Sequence, residues 1–129
     1  MGWENLLLGF QVALQPYNLG MAVLGIMLGT IIGVLPGLGG ANGVAILLPL
    51  TFTMPPTSAI ILLTSIYWGA LFGGAITSIL FNIPGEPWSV ATTFDGHPLA
   101  QQGRADEALT AAFTSSFVEI GRASCRERV

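Results

Sequence analysis

The hydrophobic positions form long uncharged runs rather than strand-like alternation or helix-like stripes. After Glu4 no charged residue occurs until Glu86. Residues 19–35 (LGMAVLGIMLGTIIGVL) carry no charge, and Thr30 is their most polar side chain. At about 1.5 Å rise per residue the run reaches about 26 Å, near the hydrocarbon thickness of about 30 Å. It predicts a spanning helix. Residues 36–43 (PGLGGANG) break that helix, because Pro36 lacks a backbone donor and the glycines admit positive φ. A second apolar span is expected over 44–54, interrupted by Pro49. Pro55-Pro56-Thr57 predict a turn. Residues 58–83 would reach about 39 Å as one helix, so tilt or a break at Gly73-Gly74 is expected. Residues 1–18, with Trp3 and Tyr17, predict an interfacial helix stopping before Pro16, or else the first part of a spanning helix. Residues 84–104 read as the first hydrophilic loop, with a turn at Asp95-Gly96. Residues 105–118 begin a further helix, with Asp106 and Glu107 in its first turn, where acids complement the helix dipole.

Composition strengthens this picture. Of the 129 residues, 52% are hydrophobic and 9% charged, where a soluble domain averages about 25% charged. One charge at a helix centre in lipid costs about 2.5–3.5 kcal/mol on insertion scales, which explains the empty stretch. Four Arg and no Lys leave no basic face for nucleic acid. The expected fold is all-α: a polytopic helical membrane protein with a broken or re-entrant helix near Pro36–Gly43, embedded in a lipid bilayer. Unpaired backbone at such a break cannot face lipid and must be buried in protein or line a wet cavity. Gly25, Gly29 and Gly33 recur every four residues, and Gly69, Gly73 and Gly74 lie on adjacent rows of the long helix. These are candidate helix-packing glycines, since small residues at this spacing let backbones approach closely.

Residues 119–129 (EIGRASCRERV) differ from the rest. They hold three of the four Arg and the single Cys. This tail resembles the in-frame translation of a sequencing adapter, and it is expected to be non-native. Cys125 then says nothing about redox compartment. Residues 1–118 are expected to be an N-terminal piece of a longer protein.

Five motifs occur in order: G-x-x-x-G-x-L-P-G-L-G (29–39), L-L-P-x-T-F (47–52), I-Y-x-G-x-x-x-G-G (66–74), N-I-P-G-E (82–86) and D-G-x-P-x-A-x-x-G-R-A (95–105). Together they resemble the large membrane subunit of the tripartite tricarboxylate transporters, the TctA family. The resemblance implies a permease importing tricarboxylate or related carboxylates across the bacterial inner membrane, in a multi-pass fold of two related halves. It implies a coupling cation (Na+ or H+) and no other cofactor. It also implies two partners, a small membrane subunit and a periplasmic solute-binding protein. Gly40-Ala41-Asn42 departs from the family pattern, which more often has Pro and Ala there.

The chemistry of the breaks suits an anion. A helix starting after a break exposes free N–H groups at positive potential, so a carboxylate can be held without Lys or Arg. The candidate substrate-binding residues are Gly37, Gly39, Gly40, Ala41 and Asn42; a packing kink is the alternative. A second break, Asn82-Ile83-Pro84-Gly85-Glu86, offers Asn82, Pro84 and Gly85, with Thr77 and Ser78 one turn earlier, as weaker ion- or substrate-binding candidates. Here the alternative is helix capping. Glu86 itself reads as a solvated loop acid, with a proton or cation carrier as the alternative. Asp95, His97 and Ser89 lack a nucleophile elbow, so a hydrolase is not expected. PGLGGANG lacks the G-K-[ST] ending of a phosphate loop. No residue cluster suggests a metal site, and no enzymatic activity is expected. The rival to a transporter is a small membrane-embedded structural or interaction subunit, its glycine stripes packed on a partner and with no transport of its own.

Overall fold

A computed structural model describes residues 2–126, without the side chains of Trp88 and of residues 120–126. Among the described residues there are six α-helices and no strand: α1 (Gly2–Ala13), α2 (Pro16–Val34), α3 (Gly39–Leu47), α4 (Pro56–Phe81), α5 (Val90–Gln101) and α6 (Ala105–Arg126). Short 3-10 turns occupy Leu48–Thr53 and Pro87–Ser89. Two helices, α2 and α4, are long and apolar enough to cross a membrane.

Prolines set where the two long helices begin. Pro16 and Pro56 each stand in the first turn, where a missing N–H costs nothing and the fixed φ is already helical. Asn18, in the first turn of α2, is buried. Its Nδ2 donates to the Val12 carbonyl at 2.7 Å, and its Oδ1 accepts from Ser58 Oγ at 2.6 Å. One amide thus ties α1, α2 and α4 together. Asn18→Leu strands the Ser58 hydroxyl. The variant is expected to lower thermal stability by about 1–2 kcal/mol, readable as a lower Tm in detergent.

From that link α2 and α4 run parallel, in contact along most of α2. A Cβ on Gly25 would lie 2.8 Å from the Leu62 carbonyl oxygen. One on Gly29 would strike the Ile66 backbone, and one on Gly33 the Ala70 backbone. In return, a Cβ on Gly69 would lie 2.5 Å from Ile26 O, and one on Gly73 2.5 Å from Thr30 O. The two glycine rows therefore face each other within one chain. Gly74 is outside this seam, since a Cβ there would meet nothing within 4 Å.

Parallel neighbours need a return crossing. Residues 39–53 supply it, as nine α-helical residues followed by six in 3-10 form. Their lengths, about 13 Å and about 12 Å, together approach the roughly 28 Å of α2. The segment expected as a span over 44–54 is the later part of this return. It starts earlier, at Gly39, and changes helix type at Leu48, beside Pro49. The expected 36–43 break is correspondingly narrower: only Leu35–Leu38 are non-helical between α2 and α3.

α4 is continuous through Gly73-Gly74, so the alternative of a break there does not occur. The hydrophilic stretch 84–104 is not a loop throughout, because Val90–Gln101 form α5. Asp95-Gly96 is inside that helix rather than in a turn. Gly96 is there for space: a Cβ would lie 2.7 Å from Ile79 Cγ1 of α4. His97 Nδ1 sits 3.2 Å from the Ile79 carbonyl and its Nε2 lies 3.1 Å from Gln101 Nε2. A carbonyl only accepts, so Nδ1 carries the proton and Nε2 accepts from the amide. His97 thereby satisfies a last-turn carbonyl of α4. α6 returns antiparallel along α4, with Phe113 and Phe72 ring centroids 5.5 Å apart. Its backbone stays helical through residues 119–126, although composition changes after Val118. The side chain of Cys125 and residues 127–129 lie outside the described residues.

The distribution of polarity is inverted relative to a soluble domain. Asn18, Ser58, Thr77, Ser78, Glu86 and Ser89 are buried, while Leu7, Phe10, Ile31, Ile60 and Phe81 are exposed. That arrangement suits a solvent of lipid tails, where polar groups must find partners inside the protein.

Candidate functional site

The site is built where the two breaks in the sequence meet. α2 ends at Val34, and the Leu35 N–H closes the last turn on Ile32 O. Gly37 has φ +91° and Gly39 φ +58°, a left-handed region that a residue with a Cβ adopts only at a cost. These two positions turn the chain so that α3 starts beside the end of α2. On the other side, α4 ends at Asn82, whose φ of 56° makes it a left-handed cap. The chain then folds back on itself. A Cβ on Gly85 would lie 3.1 Å from Gly33 O, 3.1 Å from Gly74 Cα and 3.5 Å from Thr77 Oγ1. Gly85 is thus wedged between the end of α2 and the middle of α4.

That wedge carries Glu86 inward. Glu86 is 5% exposed, which corrects the expectation of a solvated loop acid. Its Oε1 accepts a hydrogen bond from the Gly40 N–H, in the first turn of α3. The Glu86 N–H and carbonyl are both held by Ser89 Oγ, at 3.2 and 2.8 Å, within a capping box that fixes the turn. Oε2 is buried and has no hydrogen-bond partner. The Tyr67 ring closes the site, 3.1 Å from where a Gly40 Cβ would be.

The sequence-selected residues divide clearly. Gly39 and Gly40 are at the carboxylate, and Gly37 is in the turn that sets it up. Ala41 and Asn42 are exposed on α3. Thr77 and Ser78 are buried, but their hydroxyls donate back to the Gly74 carbonyl, at 3.1 and 2.7 Å. Asn82 and Pro84 are exposed at the end of α4, while Gly85 is buried at the junction. The residue that the sequence-selected set left out is Glu86, whose reading as a carrier ranked behind that of a solvated acid. One signal was available: it is the sole acid between Glu4 and Asp95, and it directly follows a Pro-Gly pair.

Residues 19–121 match the family model described as "Tripartite tricarboxylate transporter TctA family". The chain belongs to the TctA family. A TctA-type segment of this length is also similar to an uncharacterized 52.8 kDa protein in the TAR-I ttuC′ 3′ region of Agrobacterium vitis. The two are 49% identical over 114 residues, which is 88% of this chain and 23% of that protein. The chain thus spans about a quarter of the length of that relative. No solved structure matches it. The family is one of membrane transport components, and the two spanning-length helices accord with it.

Proposed function

We propose that this TctA-family chain is part of a permease that imports tricarboxylate or related carboxylates across the bacterial inner membrane. It would work with a small membrane subunit and a periplasmic solute-binding protein, driven by a coupling cation. The substrate carboxylate is held by backbone amides at the N-terminus of α3, with Gly39 and Gly40 as its floor. One observation carries this reading: the Gly40 N–H already donates to a carboxylate oxygen, that of Glu86. A helix N-terminus with free amides supplies the positive potential that this chain's side chains lack. The small-subunit alternative relied on glycine stripes turned toward a partner. Those stripes are used inside the chain, between α2 and α4, which favours the transporter.

Gly39→Leu tests the site in a full-length family member carrying this segment. A side chain is strained at φ +58°, and its Cβ would lie 3.3 Å from Glu86 Oε1. Strain of about 1–3 kcal/mol corresponds to about 5- to 150-fold in an equilibrium. Uptake of labelled tricarboxylate into proteoliposomes is expected to fall within that range, with membrane insertion unchanged. Normal uptake by the variant would remove the site from this place.

A further inference from the structure

Glu86 raises a conflict at the site just described. If the α3 N-terminus receives a substrate carboxylate, the Glu86 carboxylate already occupies that position. Two anions at one helix N-terminus repel each other strongly in a low-dielectric setting. Among the described side chains no base is placed to relieve this. The chain has no Lys, and Arg104 is paired with Glu107 on the exposed surface. Around Glu86, α3 offers Gly39 and Gly40, α4 offers Tyr67, and the 3-10 turn offers Ser89. Tyr67 is the only titratable group among these. The Glu86 carboxyl group has one oxygen engaged and one, Oε2, buried and free. A buried unpaired carboxylate oxygen is costly unless it gains a partner.

We propose that Glu86 and the substrate carboxylate exchange at the N-terminus of α3, and that a proton bound at Glu86 Oε2 frees the site. This rests on the carboxylate-transport reading above. In the empty state the ionised Glu86 neutralises the helix N-terminus through Gly40. A proton from solvent then bonds to Oε2, and the carboxylate becomes a neutral acid. The Gly40 N–H···Oε1 bond loses its charge assistance, which is about half of its strength. The amides are released to the incoming anion, so net charge at the break is conserved: one anion is neutralised as another arrives. A proton suits Oε2 better than a metal cation does. A hard metal ion takes several oxygen ligands. A proton needs one lone pair.

The inference makes proton uptake a part of substrate binding. The test is calorimetric titration of citrate into a full-length family member carrying this segment, reconstituted with its membrane partner. Buffers of different ionisation enthalpy report the protons exchanged. Glu86→Gln, which keeps the shape and an oxygen for Gly40, subtracts the protonation of citrate itself. Linkage predicts that the wild type takes up about one more proton per citrate than the variant does. The variant, relieved of the competing anion, is expected to bind citrate at least as tightly as the wild type. Equal proton uptake by the two proteins would overturn the proposal. So would citrate binding that requires sodium and moves no protons. Where the variant melts, the wild type decides alone, since binding without proton uptake overturns the exchange. Failure of the folded wild type to bind citrate at all would instead sink the carboxylate reading, and this inference with it.

Discussion

Gly33→Ala is expected to loosen the α2–α4 seam although it adds a single methyl group. The added Cβ would overlap the carbonyl of Ala70, and a backbone group cannot rotate out of the way. Overpacking typically costs about 1–3 kcal/mol, and here both partners are main chain of parallel helices, so the upper end applies. Helix propensity works the other way, favouring alanine over glycine by about 1 kcal/mol. The net expectation is a loss of about 2 kcal/mol. Gly74→Ala is the matched control in the same fold. A Cβ there meets nothing within 4 Å, so only the propensity gain remains. Thermal unfolding of a full-length family member carrying this segment should show a lower Tm for the first variant and an unchanged or higher one for the second. Equal shifts for both would mean that α2 and α4 are not in backbone contact. The expected loss also reaches the site, because Gly85 is wedged against Gly33 O.

The parts of this architecture that the sequence disclosed are those governed by local physics. Spanning length and absence of charge mark α2 and α4 because lipid penalises each charged residue independently of tertiary contacts. The four-residue recurrence of Gly25, Gly29 and Gly33 places them on one helix stripe by geometry alone. Which stripe they meet is a different matter. That α2 and α4 run parallel depends on a return by residues 39–53, part α and part 3-10, whose path no periodicity encodes. The helix over Val90–Gln101 was hidden because Asp-Gly and Pro are ordinary turn signals. Gly96 is explained only by Ile79 of another helix, and His97 only by the Ile79 carbonyl. Glu86 was misread for the same reason. Its neighbours Pro84, Gly85 and Pro87 describe a polar turn, and turns normally lie in water. The amide that its side chain meets is on Gly40, 46 positions earlier. The conclusion that a carboxylate belongs at the α3 N-terminus followed from the amides; that the chain supplies one of its own did not.

Glu86→Lys is expected to abolish uptake in the full-length protein, by about 100-fold or more. Three effects add in the same direction. The carboxylate that neutralises the Gly40 N–H disappears, leaving a buried donor unsatisfied at about 1–3 kcal/mol. An ammonium takes its place beside the positive end of α3, where the helix dipole opposes it by about 0.3–1 kcal/mol, more when buried. No buried acid besides Glu86 is found among the described residues to pair with it. Toward their upper ends, where burial puts them, these exceed the roughly 2.7 kcal/mol that separates two states 100-fold. Glu86→Leu separates charge reversal from simple loss of the acid. It keeps the bulk, places no cation at the break, and loses the acceptor for the Gly40 N–H and the side-chain half of the capping box. It is expected to fold with a modestly lowered Tm and to retain more transport than the lysine variant. The ordering that matters is glutamine above leucine above lysine, read as uptake rate per inserted protein. If lysine transported as well as leucine, the field at the α3 N-terminus would have no part in holding the substrate. The site would then have to lie elsewhere in the permease, with Glu86 serving as a structural cap for α3.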